Sequence, residues 1–96
     1  MLFIVSWSVR ADQRDIAIGR FLKTGGEPPK GVRRNGSWHT IGATKGVDIV
    51  EADDPKPLAS WSLEWNDVLD INIEVAMPAE DAGPLLAAEY HKTHSG

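Results

Sequence analysis

The sequence predicts an α+β domain of four strands and two helices, with both helices on one face of a four-stranded antiparallel sheet. Three observations predict it. Short β-forming runs alternate with helical patterns in the order strand, helix, strand, strand, helix, strand. A proline- and glycine-rich connection, Thr24-Gly-Gly-Glu-Pro-Pro-Lys-Gly31, separates the first helix from the second strand. A five-residue turn, Gly42 to Gly46, then joins two strands into a hairpin. That order is the split βαβ, or ferredoxin-like, arrangement, in which right-handed crossovers bring the helices to the same side.

Leu2 to Ser8 is the first strand, with no charged residue. Side chains alternate across a strand, so Phe3, Val5 and Trp7 share one face and Leu2, Ile4 and Ser6 the other. Apolar groups on both faces predict a central strand covered on both sides. Asp12 to Lys23 is the first helix, with Ile18, Phe21 and Leu22 expected on its inner face. Asp12 and Asp15 sit near its positive end, Arg20 and Lys23 near its negative end. Gly25-Gly26 stops it, because glycine tolerates the left-handed conformation of a helix C-cap. An anion-binding nest at Thr24-Gly25-Gly26 is the alternative, but no helix N-terminus comes after it.

Val32 to Ile41 is the second strand. Its polar first half, Arg33-Arg34-Asn35, suits an edge, and Gly36 within it points to a bulge. Val47 to Ala52 returns antiparallel as the third strand. Asp53-Asp54-Pro55 reads as a helix start, with an acidic N-cap and proline at the first helical position. Leu58, Trp61, Ser62 and Trp65 continue as a stripe facing the sheet. Asp70 to Val75 alternates as the fourth strand. Residues 78–96 read as a peripheral helical tail, with Pro84 marking its start or a kink, and the whole chain, 1–96, as a single domain. The first and third strands are expected at the centre. The sheet face opposite the helices carries too much apolar surface to stay wet, so a homodimer packed sheet to sheet, a dimeric α/β barrel, is expected.

Composition narrows the function classes. Ten Lys and Arg against fourteen Asp and Glu give a net charge of −4, with both signs scattered. Nucleic acid and anionic membranes require a dense basic patch, so neither is expected as a partner. There is no cysteine, which removes disulfides and thiolate chemistry. The apolar opening Met1-Leu-Phe-Ile-Val5 is short for a membrane span and lacks the basic flank of a signal peptide, and the expectation is a cytoplasmic domain.

Several segments carry a resemblance. Met1-Leu-Phe-Ile-Val-Ser-Trp-Ser8, Arg20-Phe-Leu-Lys-Thr-Gly-Gly-Glu-Pro-Pro-Lys-Gly-Val32, Gly36-Ser-Trp-His39 and Glu64-Trp65 resemble a family of small bacterial proteins known as a domain of unknown function. That family is similar to the dimeric α/β-barrel superfamily. The resemblance runs from Met1 to about Val75 and leaves out the tail after Met77. It implies the fold and transfers no catalytic residue. The superfamily includes cofactor-independent monooxygenases, isomerases, heme-binding and heme-degrading enzymes, and small stress-related proteins, and fold alone does not choose among them.

Candidate site residues come from side-chain chemistry. Trp38 and His39 are adjacent on a strand and therefore face opposite ways. An imidazole serves as general acid or base, or as a heme ligand, which makes His39 the candidate catalytic residue. A structural histidine at an interface is the plainer reading. Asp48 and Glu51, on the neighbouring strand, also point opposite ways. Either could orient His39, and pairing with Arg33 or Arg34 is the plainer alternative. Four tryptophans in 96 residues is an unusual density. Trp7, Trp61 and Trp65 are expected to converge where the first strand meets the second helix, as core or as walls of a pocket for a flat ligand. Ser6, Ser8 and Asn66 are candidate polar contacts there. Trp7, Trp38, Trp61, Trp65, Asp48 and Glu51 are thus the candidate ligand-binding set. No cofactor or metal is expected. Glu89, His91 and His94 have metal-like spacing, and a polar tail is the better reading.

The expectation is therefore a homodimer binding a small apolar or aromatic organic molecule in a cleft between sheet and helices. The alternatives are a cofactor-independent monooxygenase or isomerase using His39, and a ligand-free structural or stress-related dimer.

Overall fold

The computed structural model describes residues 1–94. Its elements are β1 (Leu2–Val9), α1 (Arg14–Thr24), β2 (Val32–His39), β3 (Lys45–Ala52), α2 (Pro55–Trp65), β4 (Leu69–Ala76) and α3 (Ala79–His94). The sheet is antiparallel throughout, in the order β2-β3-β1-β4, and the fold is ferredoxin-like. The two central strands are β1 and β3, as the topology requires. The last two residues of the expected tail, 95 and 96, lie outside the described residues.

Local chemistry explains the element ends. Gly25 is left-handed at φ 71° and its N–H donates to the Phe21 carbonyl at 2.7 Å, closing α1. Asp54 caps α2, its side chain accepting from the Lys56 N–H at 2.8 Å, and Pro55 is the first helical residue. β2 ends at His39 instead of Ile41, which is fully exposed in the hairpin turn, and β3 starts two residues early, at Lys45. α1 starts at Arg14 instead of Asp12, because Asp12 is left-handed at φ 64° and belongs to the preceding turn. Pro84 lies inside α3, which begins at Ala79.

The packing of α1 corrects the expected inner face. Leu22 is 77% exposed, Phe21 is partly exposed, and Ala17 alone is buried. Hydrophobic contact is replaced by a tether. The Arg20 guanidinium, expected on the wet side, makes two parallel 2.8 Å bonds to the Asp67 carboxylate and a third to the Glu64 carbonyl, and lies over the Trp65 ring. The buried residues accordingly form two clusters. One joins Phe3, Val5, Val32, Val50, Ala52, Leu58 and Trp61 between the sheet and α2. The other joins Ala17, Val68 and Leu69 beneath α1. Trp65 and Ile71 touch both.

The opposite face of the sheet carries Leu2, Ile4, Val47, Ile49 and Trp38, flanked by the polar β4 side chains Asp70, Asn72 and Glu74. No residue of α3 is buried.

Candidate functional site

Between the two clusters lies a cavity of about 280 Å³. On its α1 side the cavity meets small or partly exposed residues, and Arg20 ties that helix to Asp67. Trp7, Val5 and Val9 from β1, Leu69, Ile71 and Ile73 from β4, and Trp61 and Trp65 from α2 supply apolar walls. Ala17, Ile18 and Phe21 of α1 close the far side, and Ala43 of the hairpin turn reaches the edge. The polar lining comes from Arg34, Ser37 and His39 of β2, Asp48 of β3 and Ser62 of α2.

The polar residues are grouped by a bulge. In β2, Arg34 pairs with Val50 and Gly36 with Ile49, so Asn35 is an extra residue. The insertion flips the alternation, and Arg34 joins Val32, Ser37 and His39 on the helix side. There Arg34 Nε lies 3.6 Å from Asp48 Oδ2, and a terminal nitrogen of Arg34 donates to the Gly26 carbonyl. Ser37 Oγ donates to Asp48 Oδ1 at 2.5 Å. Asp48 is only 5% exposed, the one buried charged residue among those described. Arg34 Nε is buried without a hydrogen-bond partner.

His39 stands at the exposed rim. Its ring meets Trp7 edge to face and lies 5.3 Å from the Phe21 ring centroid. Among the described residues no carboxylate or hydroxyl hydrogen-bonds it. Asp48 is engaged by Ser37 and Arg34 instead, and Glu51 lies on the opposite face of the sheet. Glu51 accepts from Arg33 and, at 2.8 Å, from Asn35, and that amide together with Arg33 holds its carboxyl below the ordinary carboxylate range. Trp38 is also on the opposite face, folded over Gly36, where a β-carbon would come within 2.4 Å of the indole. Trp7, Trp61, Trp65, Asp48 and His39 are therefore brought together, while Trp38 and Glu51 are not. Ser6 and Ser8 project from the open face into a shallow depression beside Asp70 and Asn72, and Asn66 is the C-cap of α2.

Ser37, Ile71 and Ile73 were not singled out by sequence reasoning, while Phe21 was named only for the inner face of α1 and Arg34 only as a pairing partner for Asp48 or Glu51, the pairing it makes with Asp48. Ser37 shares parity with His39, and Ile71 with Ile73, so strand alternation was the available signal for these. Which face Arg34 takes had no signal, because it depends on where the bulge falls. In the tail, the Tyr90 ring stacks on His94 with centroids 4.1 Å apart, and no set of three metal-ligating side chains converges among the described residues. No helix among those residues is long and apolar enough to cross a membrane.

No curated protein matches the chain. Among solved structures, it is similar to an uncharacterized NIPSNAP domain protein from Burkholderia xenovorans, at 14% identity and a TM-score of 0.43, over 80% of this chain and 95% of that one. It is also similar to Rv0793 from Mycobacterium tuberculosis, at 11% identity and a TM-score of 0.46, over the same shares of each chain. The family described as a domain of unknown function, DUF3303, matches residues 1–90, well past Met77, so the tail is largely inside it. The chain belongs to the DUF3303 domain family.

Proposed function

We propose that this protein binds a small apolar or aromatic organic molecule in the cavity between the sheet and its two helices, α1 and α2. One observation carries the reading: a cavity of about 280 Å³ walled by three indoles, Trp7, Trp61 and Trp65, with its few polar groups, Ser62 apart, gathered on β2 and β3. Apolar walls with a small convergent polar set are the usual composition of small-molecule sites. An apolar cavity of roughly 150 Å³ holds a benzene ring, so this one suits about two rings. His39 borders the same space. Its neighbours there are aromatic edges and not an orienting carboxylate, which favours binding over acid–base chemistry.

Calorimetric titration with two-ring aromatic probes tests this. Saturable heat is expected for the wild-type chain and its loss in Ala17→Trp, which puts an indole into the space. Absence of heat in the wild type, or equal binding by the filled variant, rules the reading out.

The homodimer belongs to the same proposal. Leu2, Ile4, Val47, Ile49 and Trp38 form an apolar area on the face that neither α1 nor α2 covers. A second copy packed sheet to sheet buries it symmetrically. Sedimentation equilibrium at micromolar concentration is expected to return twice the chain mass of 10.5 kDa.

A further inference from the structure

Two residues lining this cavity have incomplete hydrogen bonding: Arg34, whose Nε is buried without a partner, and Asp48, whose Oδ2 has no donor within reach. A carboxylate removed from water needs several donors, because an unsatisfied buried charge is costly. Oδ1 has one, from Ser37 Oγ at 2.5 Å. Oδ2 has only Arg34 Nε at 3.6 Å, beyond hydrogen-bond reach, and among the described residues no other donor approaches it. Asp48 borders the cavity while being almost wholly shielded from bulk solvent. The cavity is thus the side from which a further donor to Oδ2, a water or a ligand group that displaces it, can approach.

The local charge restricts that occupant further. Arg34 and Asp48 are adjacent and opposite in sign, so the polar end of the cavity is close to neutral. An anionic ligand would meet the exposed side of a buried carboxylate. A cationic one would meet the Arg34 guanidinium, which is already directed at the Gly26 carbonyl and lies 5.9 Å from the Trp61 ring centre. Either would lose its hydration without a net counter-charge. A neutral hydroxyl or amine avoids that cost and satisfies Oδ2 with a charge-assisted hydrogen bond.

We infer that the ligand is an uncharged molecule of about two fused rings that donates one hydrogen bond, from a hydroxyl or amino group, to Asp48 Oδ2. This rests on the reading of the cavity as a ligand site. The ring system lies among the indoles, and the donor group points to the β2–β3 side.

The test compares four probes of one size on the intact chain at neutral pH by calorimetry: 2-naphthol, 2-methoxynaphthalene, naphthalene and 2-naphthoate. Expected is 2-naphthol binding at least about tenfold tighter than 2-methoxynaphthalene, which keeps the oxygen and loses the donor. Asp48→Asn, nearly isosteric, is expected to narrow that gap to about threefold or less, since a neutral acceptor makes a weaker bond. Equal binding of the naphthol and its ether overturns the inference and leaves the ligand site standing. Tightest binding by 2-naphthoate also overturns it, and assigns the polar end to Arg34. Failure of all four probes removes the ligand site itself. Should Asp48→Asn not fold, the four probes on the wild-type chain still decide.

Discussion

Trp7 and His39 meet edge to face across Gly46, with ring centroids 5.0 Å apart and ring planes at 79°. Both residues pair with Gly46, Trp7 from β1 and His39 from β2. A side chain at Gly46 would stand between them. Its β-carbon would come within 2.1 Å of the Trp7 indole and 2.8 Å of the Trp38 carbonyl oxygen. The glycine thus lets an indole on one central strand reach an imidazole on the edge strand, closing one end of the cavity.

Gly46→Ala is expected to destabilise the protein by about 1–3 kcal/mol, as overpacking does, by forcing Trp7 off His39. Gly19→Ala is the control, because a β-carbon there meets nothing within 4 Å. In the helix interior alanine is favoured over glycine by roughly 0.8–1 kcal/mol, so that variant should be slightly more stable. Urea unfolding of the two variants measures both, and equal midpoints would contradict the packing described.

Trp61 and Trp65 differ in burial although both face the sheet. Trp61 is 7% exposed within the main core, and Trp61→Ala is expected to cost about 3–5 kcal/mol. Trp65 is half-buried on the cavity wall, beneath Arg20, and Trp65→Ala should cost less, about 1–3 kcal/mol. The larger loss at Trp65 would place the core elsewhere.

Acid should weaken the tether of α1. Arg20, by its paired hydrogen bonds, holds the Asp67 carboxyl below its usual value of 3.8. The folded chain therefore releases this proton more readily than the unfolded chain. The tether's contribution is complete above the unfolded value, falls as pH drops from there toward the folded value, and is gone below it. Glu51, held low by Asn35 and Arg33, has the same sign. Urea midpoints measured from pH 6 to pH 3 should fall less steeply in Asp67→Asn than in the wild type, and parallel slopes would remove the linkage.

Ile49→Glu on the open sheet face is expected to convert the proposed homodimer to monomer with little change in far-ultraviolet circular dichroism. Ile49 faces away from both buried clusters, so a charge there meets water in the monomer and an apolar surface in the dimer. Sedimentation of the variant as a dimer would locate the interface elsewhere.

The sequence by itself determined the order of elements, the central positions of β1 and β3, the stop of α1 and the start of α2. Those features depend on alternation, proline, glycine and capping residues acting over a few positions, which is how far local chemistry reaches. Periodicity put Trp7 with Phe3 and Val5 on one face of β1 and Trp61 with Trp65 on one face of α2. Tertiary structure decided the rest. Parity showed that Trp38 and His39 point apart, as do Asp48 and Glu51, without assigning which member faced the helices. The extra residue at Asn35 brought Arg34 to Asp48, and the register of a bulge is chosen by the partner strand. Arg20, which periodicity assigned to water, became the tether of α1 because Asp67, far along the chain, supplied a bidentate partner. Only the packed fold leaves the space between α1 and the sheet that Trp7, Trp61 and Trp65 wall, because its shape depends on how distant elements meet.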